Sequence, residues 1–187
     1  MSIKVLKAGF QDLIQDMGRF GNTHMGISPS GAADNISLRI GNLLLDNNIN
    51  DPGIEITLFG GSYYFNKDAI IVLSGSDFSS TIDGKIISFY KPLSVKTGQT
   101  LSISQTTDGA RCYLCIKGGF QVPPTLNSSS THVLSRIGGF EGRSLKKKDE
   151  ILFSKSNNQD FNKNKNFHID NDRSVLRVTK GLQYDLF

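Results

Sequence analysis

Apolar and polar positions alternate in short runs along most of this chain, and glycine or aspartate punctuates nearly every run. Ile54-Glu55-Ile56-Thr57-Leu58-Phe59 alternates with a period of two, the mark of a half-buried strand. Gly60-Gly61 then turns the chain into Tyr63-Tyr64-Phe65. After the Asn66-Lys67-Asp68 turn, Ala69-Ile70-Ile71-Val72-Leu73 reads as a buried strand. Asp83-Gly84 between two short apolar runs, 81–82 and 85–87, predicts a tight hairpin, because both residues tolerate the positive φ such a turn needs. Strands over 93–95, 100–103 and 111–117 extend the series, with breaks at Thr97-Gly98 and Asp108-Gly109. Turns this closely spaced predict a β-barrel or sandwich.

The period changes to that of a helix once. Ile36, Ile40, Leu43 and Leu44 share one face, Asp34 or Asn35 can cap the start, and Asp46-Asn47-Asn48 with Asp51-Pro52 stops it. The chain is therefore expected to be mainly β with one amphipathic helix. Both patterns vanish after residue 153. Residues 154–172 are Ser, Asn, Lys, Gln and Asp with isolated Phe161 and Phe167, a composition that suits a polar linker. An apolar run over 174–179 then reads as a strand. The expected organisation is a β domain over 1–153, a linker over 154–172, and at 173–187 the truncated start of a second domain.

The chain has 187 residues, enough to bury a core without disulfides or a structural metal. Its net charge of +4 suggests nucleic acid until it is counted by segment. Residues 1–142 carry eleven basic and eleven acidic side chains; residues 143–187 carry ten and six. The excess sits in the polar tail, where solvated charge is its ordinary meaning, so neither a nucleic-acid nor a membrane partner is expected. No apolar run approaches the length of a membrane span, and the first residues lack the apolar core of a secretory signal. A cytoplasmic location is the expectation.

Cys112-Tyr113-Leu114-Cys115 is a C-x-x-C, but in a strand residues three apart face opposite ways, which predicts packed thiols rather than a redox or metal pair. His24, His132 and His168 have no metal-ligand spacing. The densest special segment runs from Gln15 to Asp34 and includes Asp16, Gly18, Arg19, Gly21, His24, Gly26, Ser28, Ser30 and Gly31. A glycine-rich loop ahead of a helix can offer N–H donors to an anion, and Arg19 would add a fork for a carboxylate or carbonyl oxygen. A structural loop with Asp16 paired to Arg19 explains the same residues equally well. Two further loops, Gly118-Gly119-Phe120 and Gly138-Gly139-Phe140-Glu141-Gly142-Arg143, fit a ligand's close approach or plain turns.

These segments carry a family resemblance. Gln15-Asp16-Met17-Gly18-Arg19-Phe20-Gly21 matches a Gln-Asp-x-Gly-Arg-x-Gly pattern, and Ser30-Gly31-Ala32-Ala33-Asp34 matches Ser-Gly-Ala-x-Asp. Asn42-Leu43-Leu44, Glu55-Ile56-Thr57-Leu58, Leu73-Ser74-Gly75 and Gly118-Gly119 follow in order. The sequence resembles the biotin-dependent carboxyltransferase family, which includes allophanate hydrolase subunit 2 and a 5-oxoprolinase subunit, through its N-terminal half. The resemblance implies a cyclophilin-like β-barrel and one subunit of an ATP-dependent 5-oxoprolinase, which opens the lactam of 5-oxoproline to glutamate together with other subunits. ATP would be bound in the assembled complex rather than by this chain alone, and the chain carries no biotin-attachment segment. By motif position Arg19 and His24 would be catalytic, and Ser28, Ser30, Asp34 and Asn42 would bind substrate. The alternatives are a urea amidolyase-type carboxyltransferase module or a non-catalytic regulatory remnant. The sequence departs from the pattern at Ser129, where the family has Arg, and at Lys148, where it has Gly.

Overall fold

The computed structural model describes residues 1–154, 165–168 and 178–186. Along the chain come β1 (Ser2–Lys7), β2 (Gln11–Gln15), α1 (Asn35–Leu44), β3 (Gly53–Thr57), β4 (Ser62–Phe65), β5 (Ala69–Ile82), β6 (Lys85–Ile86), β7 (Leu93–Val95), β8 (Thr100–Ile116) and β9 (Glu150–Leu152). The strands form one curled antiparallel half-barrel with the helix on one side, as the sequence pattern leads one to expect.

Two strands are longer than the pattern predicts. β5 continues past Leu73 to Ile82, and β8 runs through Asp108-Gly109 without a break. Their pairing shifts register between Gly75 and Ser80, and these bulges bend both strands instead of ending them. β8 gives one edge to β5. Its other edge pairs with β3 near its end (Ile54 opposite Leu114) and with β4 near its start (Tyr63 opposite Leu101). β2 then adds to β3, β1 to β4, and β9 to β1, which leaves β2 and β9 at the two ends of this path. The hairpin at Asp83-Gly84 forms as its chemistry dictates, with φ of 48° and 78° joining β5 to β6.

The period-two alternation of β5 and β8 feeds two cores. Ile71, Leu73, Cys112 and Leu114 point into the curl, where Ile3, Val5, Ile14, Tyr63, Phe65 and Phe78 meet them. Ile70, Val72, Tyr113 and Cys115 point the other way, onto Leu38, Leu44 and Leu45 of α1 and the turn after it. Each large apolar side chain removed from water contributes about 1.5–3 kcal/mol. The two cysteines of the C-x-x-C thus lie on opposite faces of one strand, both free and fully buried, and burial pushes both thiols up.

The helix forms where the pattern places it, and Leu44 and Ile40 of the expected face pack inward, but the face is rotated. Ile36 and Leu43 are 66% and 60% exposed, while Ser37, Leu38, Gly41, Asn42 and Leu44 are buried. A Cβ at Gly41 would lie 2.7 Å from both the Cys115 Sγ and the Ser74 Oγ, so the bare glycine is what lets the helix approach the sheet. A polar network fixes the entry angle. Glu55 accepts from the Ala33 N–H (2.8 Å) and from the Tyr113 hydroxyl (2.8 Å), and that hydroxyl accepts from the Asp34 N–H (2.7 Å). Burial next to Glu55 raises the Tyr113 hydroxyl pKa, which keeps it a donor.

No helix among the described residues is long and apolar enough to cross a membrane. The expected linker and the strand expected at 174–179 fall mostly outside the described residues.

Candidate functional site

The loop between β2 and α1 folds back on itself. The Arg19 N–H donates to the Pro29 carbonyl (2.7 Å) and the Ala32 N–H to the Asp16 carbonyl (2.9 Å), which lays residues 16–19 against 29–32. Gly18 sits at the crossing with φ of 98°, and a Cβ there would come within 2.8 Å of the Pro29 and Ser30 carbonyl oxygens. Only glycine fits both the torsion and the space.

Asp16 and Arg19 are both buried but do not pair with each other. The Asp16 carboxylate accepts from the Gly18 N–H (2.7 Å), the Ser128 hydroxyl (2.7 Å), the Ser129 N–H (2.5 Å) and the Ser130 hydroxyl (2.5 Å). Four donors satisfy a charge that burial would otherwise make costly. Thr131 completes the join, its N–H and hydroxyl both donating to the Ile14 carbonyl.

The Arg19 guanidinium is 1% exposed and bridges three segments. Its Nη1 donates to the Ser30 hydroxyl (3.1 Å), its Nε to the Thr125 carbonyl (3.4 Å), and its Nη2 to the Ser130 carbonyl. Burial lowers its pKa, and the nearby negative charge of Asp16 works against that shift. This fork clamps the first glycine-rich loop to residues 125–130. It also presses on Gly138, where a Cβ would strike the guanidinium and the Ser130 carbonyl.

The other expected site residues divide around this clamp. Ser30 belongs to it, and Ser28 supports Ser30 by accepting its N–H (3.3 Å). Asp34 caps α1, accepting from the Ser37 N–H (3.0 Å) and hydroxyl (2.5 Å), and borders a cavity of about 430 Å³ with Ser37, Tyr90 and His168. Asn42 is fully buried within the fold, where it donates to the Asp51 carbonyl (2.8 Å) and accepts from Asn47. His24 stands exposed on the short helical turn Thr23–Met25 and is not joined to Arg19 among the described residues. Ser128, Ser130 and Thr125 are partners that the sequence does not assign. The Ser-Ser-Ser-Thr run is conspicuous, but nothing local ties it to a loop more than a hundred residues earlier.

Two cavities flank the clamp. One of about 340 Å³ is bordered by Asp16, Met17, Phe20 and Arg39. The other, about 510 Å³, is walled by Thr125, Arg136, the 138–142 loop and β9. No group of three or more His, Cys, Asp or Glu among the described residues could hold a metal ion.

Known proteins share this architecture. Urea amidolyase of Saccharomyces cerevisiae is 42% identical over 159 residues, which is 84% of this chain and 9% of that protein. A 5-oxoprolinase subunit of Haemophilus influenzae is 40% identical over 149 residues, 80% of this chain and 48% of that protein. The crystal structure of Kluyveromyces lactis urea carboxylase superposes with a TM-score of 0.80 at 38% identity, covering 81% of this chain and 14% of that one. The chain thus spans about half the length of the 5-oxoprolinase subunit it matches, and a small part of the urea enzymes. The family model of the carboxyltransferase domain, subdomain A and B, matches residues 25–187, and this chain belongs to that family.

Proposed function

We propose that this chain supplies part of the carboxyltransferase-type subunit of an ATP-dependent 5-oxoprolinase and works only with partner subunits. The reading is carried by 40% identity to a 5-oxoprolinase subunit across about half of that protein. In the proposed reaction the lactam C–N bond breaks, water supplies the oxygen of the new carboxylate, and the ring nitrogen leaves as the amine of glutamate. ATP is handled by the partner subunits in this proposal.

In this reading the chain's residues take distinct roles. Arg19 acts as a positioning residue, since its donors are engaged by Ser30, Thr125 and Ser130. It holds together the loops that face the two flanking cavities, so a lactam carbonyl held there would meet rigid backbone donors. His24 is the exposed titratable group of the first loop and the candidate for proton transfer. Ser28 and Ser30 set the shape of that loop, while Asp34 and Asn42 fix the helix behind it.

A second reading has its own support. The urea amidolyase of S. cerevisiae is 42% identical to this chain, and a urea carboxylase shares its fold. The test is to reconstitute this chain with its partner subunits and supply ATP with either 5-oxoproline or urea. The lactam reading expects glutamate to form from 5-oxoproline and ATP hydrolysis to be unmoved by urea. Urea-stimulated ATP hydrolysis without lactam opening would replace it with the second reading.

A further inference from the structure

The cavity of about 510 Å³ beside the Arg19 clamp has the makings of a ligand site that no motif assigns. One wall is apolar, built from Val122, Pro123, Phe140, Ile151 and Leu152. The other is the loop from Arg136 to Gly142, and its backbone is unusual. Arg136, Gly138, Gly139, Glu141 and Gly142 all have positive φ, between 52° and 66°. Two of these are not glycine, and strained backbone of that kind persists where the surroundings hold it in place. Here the holding group is Arg19, on which Gly138 packs directly.

Charge decides what such a site would take. Both acids at the cavity are already engaged. Glu141 pairs with Arg143 through its Oε2 (2.7 and 3.0 Å), and Glu150 accepts from Ser2 (2.5 Å) and Asn66 (3.1 Å). The Arg136 guanidinium has no hydrogen-bond or ion-pair partner among the described residues, nor do the N–H groups of Gly138, Phe140 and Glu141. A cation and three backbone donors without acceptors, on residues that border the same cavity as an apolar wall, match a small acid. The N–H groups of Phe140 and Glu141 are adjacent in this turn, and adjacent backbone N–H groups can form a concavity that binds anions.

We propose that this cavity binds the carboxylate of a small lactam or amide acid, with Arg136 as the anchor and the unengaged N–H groups of Gly138, Phe140 and Glu141 as supporting donors. The proposal rests on the lactam reading and deepens it. Arg136 is then the residue that prefers a lactam acid to urea, which has no carboxylate to offer. Val122 and Phe140 lie against the ring carbons, and Arg19 keeps the loop in register from behind.

Calorimetric titration of the 187-residue chain with 5-oxoproline, with 2-pyrrolidinone (the same ring without the carboxylate) and with urea tests this. The expected result is that 5-oxoproline binds and that 2-pyrrolidinone binds about tenfold more weakly or worse, the effect of losing a charge-assisted pair. Arg136→Gln should weaken 5-oxoproline by a similar factor and leave 2-pyrrolidinone unchanged, and Arg136→Lys should recover part of the loss. Comparing the two rings on the unaltered chain needs no variant to fold. Absence of 5-oxoproline binding, equal binding of the two rings, or full binding by Arg136→Gln would each overturn the proposal. Any of those results alongside lactam turnover by the reconstituted enzyme would remove this site and leave the function. Carboxylate binding without turnover would do the reverse.

Discussion

Asp16 shows how one side chain can be read correctly in kind and wrongly in partner. An acid three residues from an arginine in a glycine-rich loop invites a local pair, yet its four donors are Gly18 and three consecutive serines more than a hundred positions later. A fork as wide as that of Arg19 spans three backbone segments more readily than it folds back on one carboxylate. Lys148 is a simpler case at the same scale. It occupies a position where the family resemblance leads one to expect glycine, and its φ of 81° lies where a side chain is crowded. A left-handed torsion costs an ordinary residue about 1–2 kcal/mol, and glycine's extra freedom in the unfolded chain cancels about half of that. Lys148→Gly is therefore expected to stabilise the chain by about 0.5–1 kcal/mol, raising Tm by about 2 °C in a calorimetric scan. A lowered Tm would mean that the lysine side chain makes a contribution larger than its strain.

At the scale of elements, the helix separates what periodicity fixes from what packing fixes. The spacing of Ile36, Ile40 and Leu43 correctly announces a helix, and Asp34 correctly announces its cap. The face that turns inward is chosen by something else. The Glu55–Tyr113 network sets where the chain enters, and Gly41 with Ser37 allows a close approach that Ile36 and Leu43 would obstruct. Gly41→Ala tests this. Helix propensity alone would gain about 1 kcal/mol. The close contact with Cys115 and Ser74 reverses the sign, so urea denaturation should show a net loss of about 1–3 kcal/mol. A gain in stability would show that the sheet can give way to a Cβ. The strands divide in the same manner. Alternation and the Asp83-Gly84 turn are legible because both are local. The union of two expected strands into β8 is not, because bulges against β5 decide it, and Asp108-Gly109 looks the same in a turn as in a bend.

Across the whole molecule, the long β5–β8 ribbon curls the sheet so that the loop between β2 and α1 meets two much later, neighbouring loops. Residues 16–34, 125–131 and 138–142 are each conspicuous as glycine- or serine-rich segments. Their meeting is not readable, because it depends on β2 lying beside β3 and on Thr131 bonding to Ile14. The family and the mainly β fold can be read because they rest on local patterns spread over most of the chain. The clamp and its cavities arise only when these loops meet. The central proposal concerns the assembly: that the chain is one working part of a lactam-opening enzyme. Its most direct test measures glutamate formed per ATP consumed from 5-oxoproline, with the partner subunits present and this chain either included or left out. We expect coupled glutamate formation only when the chain is included. Equal coupling without it, or ATP consumption with no glutamate when it is present, would contradict the account.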